Sequence, residues 1–396
     1  MIRLTLATLL LTGMSLAAAA QTCGKSADGF DGFKRQVAAE AKGQGYSAQA
    51  IAALAAVQYD PVVIKRDRAQ NVFSQTFLQF SDRMVSNYRL KEGQNRLAQY
   101  RTVFDAVEKK YGVPGAVLVA FWGLETDFGA NTGDFNTVQS LATLAWDCRR
   151  PEKFRPQLMA ALDLISKGDL SPEDMRGAWA GEIGQAQFLP VEYDETAVDF
   201  DGDGRRDLRH SVPDIMASSA RLLIKHGWKA NQPWLQEVRV PDELPWDQAD
   251  IAIQHPRSQW ARWGVTAASG KAIKADSFPA ALLLPMGKDG PAFLAYDNFT
   301  TAYLKWNESL VYSTTAAYFA TRLGGAGKVN PGRGAEALTA DDVMTLQKIL
   351  AAKGYDVGKI DGKLGKGTRA AIKDQQVKLG LPADSWPTRE LLAKLH

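Results

Sequence analysis

Residues 114–129 read PGAVLVAFWGLETDFG. Pro114 suits the first turn of a helix, where a missing N–H leaves no bond unmade. Ala116 to Leu124 then runs almost wholly apolar, which predicts a helix buried on every side. That run ends in a carboxylate, Glu125, flanked by Trp122 and Phe128. A carboxyl at the end of a dry helix loses the hydration of its charged form. Its pKa then rises toward the value a general acid requires at neutral pH. The same pattern fits a glutamate that caps the helix or pairs with an arginine, and this stretch alone favours neither.

On both sides the pattern stays helical. Between residues 30 and 110 apolar positions recur at three and four spacing, as in Phe33, Val37 and Ala41, and Pro and Gly are sparse. From Pro114 to Trp228 helices alternate with glycine-rich turns. Strand signals are few, with residues 234–240 and 281–285 the only convincing candidates. The expected fold is therefore mainly α. Residues 324–337 shift to a glycine-rich composition that reads as a linker. Beyond it, 338–396 predicts three short helices, the first capped by Thr339 with Asp342 three residues on.

Across 396 residues, 45% are hydrophobic and 23% charged, a globular balance with room for two or three domains. The net charge of +3 is too small to imply nucleic acid, yet it would not repel an anionic polymer. Arg3, an apolar run over 4–16 and small residues over 17–20 follow the order of a secretory leader, with cleavage expected near Ala20. Acylation of Cys23 is the weaker alternative, because Ala20, Gln21 and Thr22 precede it. No later segment is apolar for long enough to cross a bilayer. The expected location is the periplasm, soluble or loosely held to the envelope. In that oxidising setting Cys23 and Cys148, the only cysteines, form one disulfide on the simplest reading. Two cysteines and four histidines are too few for a zinc centre.

Three motifs occur in order: Gly123-Leu-Glu-Thr-Asp-Phe-Gly129, Ser140-Leu-Ala-Thr-Leu-Ala-Trp-Asp-Cys-Arg-Arg150 and Gly177-Ala-Trp-Ala-Gly-Glu-Ile-Gly-Gln-Ala-Gln-Phe-Leu-Pro190. Together they closely resemble the membrane-bound lytic transglycosylase B family, over residues 30–323. The resemblance implies a lysozyme-like catalytic domain, 24–323, that cuts the β-1,4 bond between N-acetylmuramic acid and N-acetylglucosamine in peptidoglycan without adding water. It also implies that no cofactor is required. Glu125 matches the family's catalytic glutamate, which serves first as acid and then as base toward the muramoyl C6 hydroxyl. The product is a 1,6-anhydro ring, and the N-acetyl group assists. Gln187 and Arg150 match groove residues. Asn298, Trp306, Asn307 and Tyr312 match the segment beside the acid.

Three departures stand out: Ala178 replaces a serine, Leu222 a tyrosine and Glu182 an alanine. A second carboxylate at Glu182 would either raise the proton affinity of Glu125 or activate water. A hydrolytic muramidase using Glu182 or Asp127, and an inactive wall-binding scaffold, are accordingly the alternatives.

Asp199-Phe-Asp201-Gly-Asp203-Gly204 opens like a calcium-binding EF-hand loop, and some members of that family bind calcium at the matching place. His210 stands at the twelfth position, so Asp214 is the expected substitute, with Arg205 inside the loop. A structural calcium site and a carboxylate-rich turn held by Arg205 and Arg206 fit equally well. Residues 338–396 resemble the small three-helix peptidoglycan-binding domain, carried by Leu346 to Tyr355, Ile360 to Gly365 and Thr368 to Ile372. Here Gln375 replaces an aromatic and Ser385 a glycine. The implied partner is the glycan strand of the wall; protein partners are not legible.

Overall fold

A computed structural model describes residues 23–69 and 75–395. The expected leader, 1–20, and its cleavage point lie outside the described residues.

The apolar run forms the helix Gly115–Thr126, and Val117, Val119 and Ala120 have no exposed surface. It can be dry on every side because Asn87–Gln99, Arg101–Tyr111, Val212–Lys225 and Leu310–Leu323 pack around it. Gly93 lets the first of these approach, since a Cβ there would press on Leu323 and Val119. A second layer pairs Thr137–Trp146 with Pro151–Lys167, and Phe30–Gly43 with Ala48–Ala56. Helix starts carry their own acceptors: Ser47, Asp60 and Ser86 cap, and Thr76 with Gln79 forms a reciprocal box. Cys23 and Cys148 are joined in a disulfide. Beside it the Gly24 amide donates to Trp146 O at 2.9 Å, and the Cys148 amide to Gly24 O at 3.3 Å.

Strand content exceeds the sequence expectation. Besides Leu235–Arg239 and Pro279–Leu283, the strands Gln254–Pro256, Thr266–Ala267 and Ala292–Ala295 complete one antiparallel sheet. Pro279–Leu283 and Ala292–Ala295 lie inside, followed by Leu235–Arg239 and then Thr266–Ala267, with Gln254–Pro256 on the other edge. The three were missed for physical reasons. Two are very short, and Ala292–Ala295 is buried on both faces, so no alternation marks it. One face of the sheet has its own core, built on Trp260, Leu282, Leu294 and Tyr296.

Segment 324–337 has no regular secondary structure, but it is fastened to the sheet. The Asn330 amide donates to Glu237 Oε1 at 2.8 Å, Val329 is buried, and Arg333 pairs with Asp242 and Asp289. The three expected helices follow as Ala340–Ala352, Lys366–Lys378 and Arg389–Leu395, with the Thr339–Asp342 box in place. Buried Gln347 organises the turn between the first two. Its amide nitrogen donates to Lys359 O and Lys363 O, while Oε1 accepts from the amides of Asp361 and Gly362. Ser385 has φ 63°, a left-handed conformation that explains why the resembling family has glycine there. Gln375 replaces the aromatic by donating to the Tyr355 hydroxyl at 2.6 Å. This unit docks on the sheet through Arg369, whose enclosed guanidinium donates to Leu284 O at 2.7 Å and Pro285 O at 3.4 Å. Burial pulls the Arg369 pKa down to about 10, so it remains charged at neutral pH. Among the described residues no helix is long and apolar enough to cross a membrane.

Candidate active site

Glu125 lies in the last turn of the buried helix. The chain leaves that helix through Asp127, Phe128 and Gly129, all with positive φ, at 54°, 60° and 89°. A left-handed Phe is costly, roughly 1–2 kcal/mol. Its ring repays this by burial and by edge-on packing against Trp122, centroids 5.7 Å apart. Gly123 makes that packing possible, because a Cβ there would meet the Phe128 ring. At Gly129 a side chain would collide with Gln185. The glycines of the GLETDFG motif therefore fix how the helix ends, and that end sets the direction of Glu125.

Gln185 is the residue that sequence reasoning missed. Its Oε1 accepts from Trp122 Nε1 at 2.9 Å, its Nε2 donates to Arg209 O at 2.6 Å, and its carbonyl accepts from Thr126 Oγ1 at 2.6 Å. It thus ties the helix end to the loop before Val212–Lys225. Gln187, two residues on, also donates inward, to Gly184 O at 2.9 Å and Thr132 O at 3.1 Å. Among the described residues no hydrogen bond engages its Oε1. Arg89 was missed too: its Nε pairs with Asp127 Oδ1 at 2.7 Å. Asp127 is consequently no free base beside Glu125.

The segment from Asn298 to Tyr312 supplies the wall opposite the helix end. Trp306 stacks on Phe121, with centroids 4.2 Å apart, and its Nε1 donates to Glu125 Oε1 at 2.9 Å. The Tyr312 hydroxyl donates to the same oxygen. Asn307 and Ser309 shape the turn between them: Asn307 Oδ1 accepts from the Ser309 amide at 2.9 Å, and Ser309 Oγ caps Leu310–Leu323. Both donors reach Oε1, so a proton carried by this carboxyl belongs on Oε2. Burial pushes the Glu125 pKa above the ordinary glutamate value. The bonds from Tyr312 and Trp306 oppose that rise, and the nearby Glu182 carboxyl adds to it. Burial, and then the neighbouring Glu125, push the Tyr312 phenol well above its usual range, so it stays a donor.

Asn298 and Arg150 are engaged within the protein, and Leu222 is buried. Asn298 is fully buried, with its amide donating to Lys229 O and Gln232 O at 3.0 Å each, and Oδ1 accepting from the Lys229 amide. It shapes a loop and is no substrate contact. Arg150 is tied to buried Asp67, together with Arg149. Burial alone would raise the Asp67 pKa, but the bonds from Arg149 and Arg150 hold it below the usual carboxylate range. Nη2 of Arg150 makes this pair, and its Nε is buried without a partner among the described residues. Leu222 lies in the core at 3% exposure.

The acidic loop is also narrower than expected. Carboxylate oxygens of Asp199, Asp201 and Asp203 lie within 4.8 Å of one another. Asp214 does not join them, since its two oxygens accept from the amides of Phe200 at 2.6 Å and Asp207 at 2.8 Å. Arg205 contributes a backbone amide to Asp203 at 2.8 Å, and its side chain is exposed. Three hard oxygen donors on one glycine-containing turn suit calcium.

This constellation is found on a known scaffold. A transglycosylase SLT domain model matches residues 29–321, and a peptidoglycan binding domain model matches 339–395. The chain belongs to the SLT transglycosylase family. It is similar to SltB3 from Pseudomonas aeruginosa, solved in complex with NAG-anhNAM-pentapeptide, at 39% identity and a TM-score of 0.85. That match covers 94% of this chain and 100% of the other. A membrane-bound lytic murein transglycosylase B from Escherichia coli K12 is 29% identical over 198 residues, 50% of this chain and 54% of the relative. The chain thus spans about half the length of this curated relative. An Escherichia coli lytic transglycosylase solved in complex with calcium, 23% identical over 78% of this chain and 97% of that one, shares the fold at a TM-score of 0.63.

The opposed effects on Glu125 give a prediction. Tyr312→Phe removes a donor that favours the charged carboxyl, so the alkaline limb of the rate profile should move up by about one pH unit. Maximal turnover should fall about tenfold as the carboxyl loses its anchor. Initial rates measured across pH check this, and an unmoved limb would show that the hydroxyl does not act on Glu125.

Proposed function

We propose that this transglycosylase-family chain cleaves the MurNAc-β-1,4-GlcNAc bond of peptidoglycan without water, Glu125 acting as acid and then as base. The observation that carries the reading is the enclosed carboxyl of Glu125, whose Oε1 is anchored by Trp306 and Tyr312, leaving Oε2 for the reacting oxygen. Oε2 gives its proton to the glycosidic oxygen as the bond to C1 breaks. The muramoyl C6 hydroxyl then attacks C1 and returns a proton to Glu125. One group completes both transfers, where hydrolytic glycosidases use two carboxyls. Support comes from Asp127, which Arg89 occupies, and from similarity to SltB3, whose solved ligand carries an anhydro sugar.

Gln187 Oε1, Trp306 and Asn307 are the groups we assign to the substrate groove. We assign 338–396 to wall binding and 24–323 to catalysis, joined by the fastened segment 324–337. The location that suits this substrate is the periplasm, in keeping with the leader-like start of the sequence and the disulfide. Asp199, Asp201 and Asp203 are the place for a structural calcium ion, and no step of the reaction passes through it.

Mass spectrometry of fragments released from purified sacculi tests the reaction. Products should end in anhydro-muramic acid, lighter by one water than reducing ends, and Glu125→Gln should abolish release while sacculus binding persists. Reducing-end products would replace the reading with a hydrolase, and binding without release by the native protein would replace it with a scaffold. For the loop, millimolar calcium should raise the unfolding midpoint and Asp201→Asn should remove that gain. An unchanged midpoint would leave the loop a self-satisfied turn.

A further inference from the structure

Gln185 takes no part in the proton transfers, yet it meets the helix end that bears Glu125 at two points. Its Oε1 accepts from Trp122 Nε1 at 2.9 Å, three residues before Glu125. Its carbonyl accepts from Thr126 Oγ1 at 2.6 Å, one residue after it. Thr126 Oγ1 also accepts from the Gly129 amide at 2.9 Å, so the same hydroxyl closes the left-handed exit of the helix. A Cβ at Gly129 would overlap the Gln185 side-chain amide, which shows how tightly the two segments meet. The other side of Gln185 is held as firmly. Its main-chain amide donates to Leu208 O at 2.9 Å, and its Nε2 to Arg209 O at 2.6 Å. Those carbonyls belong to a fastened loop: the Arg209 amide donates to Asp207 Oδ1 and the Asp207 amide to Asp214 Oδ2, each at 2.8 Å. Asp214 is fully buried in the first turn of Val212–Lys225, a helix that packs on Gly115–Thr126. The Trp122 indole can only donate and the Arg209 carbonyl can only accept, so the side chain between them must do both. An amide does; an ionised glutamate could not donate, and a methionine of similar length could do neither.

We propose that Gln185 is a positioning residue for Glu125: by joining Trp122 and Thr126 to the loop 207–209, it fixes the last turn of the buried helix and so the direction of the free oxygen Oε2. This rests on the reading of Glu125 as the acid. Trp306 and Tyr312 hold one oxygen of the carboxyl from the opposite wall. One anchored oxygen leaves the other free to swing unless the backbone that carries the side chain is also fixed. The last turn of a helix is where that is least assured, because its final carbonyls lack intrahelical partners. Gln185 supplies the second anchor, on the residues either side of Glu125. The effect on rate is large where a reacting group must meet its target closely, since a misplacement of about 1 Å costs about a hundredfold. Substrate binding should be spared, because both side-chain bonds of Gln185 are spent inside the protein.

The test is a double-mutant cycle on the full chain, read as kcat and KM on a soluble GlcNAc–MurNAc tetrasaccharide, with a melting curve for each variant. Gln185→Met keeps the volume and removes both side-chain bonds. It should lower kcat about tenfold and leave KM within about twofold. Trp122→Phe removes the donor from the other side and should also lower kcat with KM kept. The double variant should lose no more than Gln185→Met alone, because the second change has no bond left to break. Losses that multiply, a rise in KM as large as the fall in kcat, or a lowered melting midpoint with native kcat would each overturn the proposal. If Gln185→Met does not fold, Trp122→Phe decides alone: native kcat overturns the role and a fall of about tenfold at native KM supports it. Glu125→Gln separates the two failures. If it is inactive while Gln185→Met turns over normally, only the role of Gln185 falls; if it is active, the assignment of the acid falls and this role with it.

Discussion

The structure turns on one desolvation. A glutamate ends a helix that is apolar on all faces, and its carboxyl is enclosed where the charged form has lost its water. Burial of that kind can raise a carboxyl by as much as about 3–5 pH units. Two donors, Trp306 Nε1 and the Tyr312 hydroxyl, pull the other way, and a hydrogen bond to a charged group contributes about 1.5–3 kcal/mol. Burial is the larger effect, so the proton affinity of Glu125 stays above that of an ordinary glutamate. Opposed effects of this kind suit a group proposed to release a proton and take one back within a single cycle.

The rest of the domain holds this balance in place. The same aromatic that donates to Glu125 stacks on Phe121 in the helix that bears it, so acid and anchor cannot drift apart. The helix end is fixed from the far side by Gln185 and by an unusual run of left-handed residues, whose strain the packing of Phe128 offsets. Farther out, Arg369 and the fastened segment 324–337 join the C-terminal helices to the sheet. A wall-binding unit so attached would present the glycan to the cleft in a fixed direction, which a loose tether could not do.

Much of this was legible in the sequence because it depends on local pattern. The all-apolar run announced a buried helix ending in an enclosed carboxyl at Glu125, and Thr339 with Asp342 announced a cap. Trp306 and Tyr312 came from resemblance, and the fold brings them to the carboxyl. What stayed hidden depends on distant pairing. Arg89 reaches Asp127 across 38 positions and Gln185 reaches Trp122 across 63, and no spacing rule marks either. Asn298 misled because polar residues in a motif look alike whether they face a groove or satisfy buried backbone groups. Ala292–Ala295 was hidden because a strand buried on both faces shows no alternation.

The central claim is that burial raises the proton affinity of Glu125 above that of an ordinary glutamate. Carbon-13 NMR of the protein labelled at glutamate carboxyls, with the Glu125→Gln spectrum subtracted, reads that titration directly. A resonance that titrates above the ordinary glutamate value of 4.5 is the predicted result. A resonance titrating at or below that value would contradict it, because the enclosed carboxyl would then reach the substrate without a proton to give.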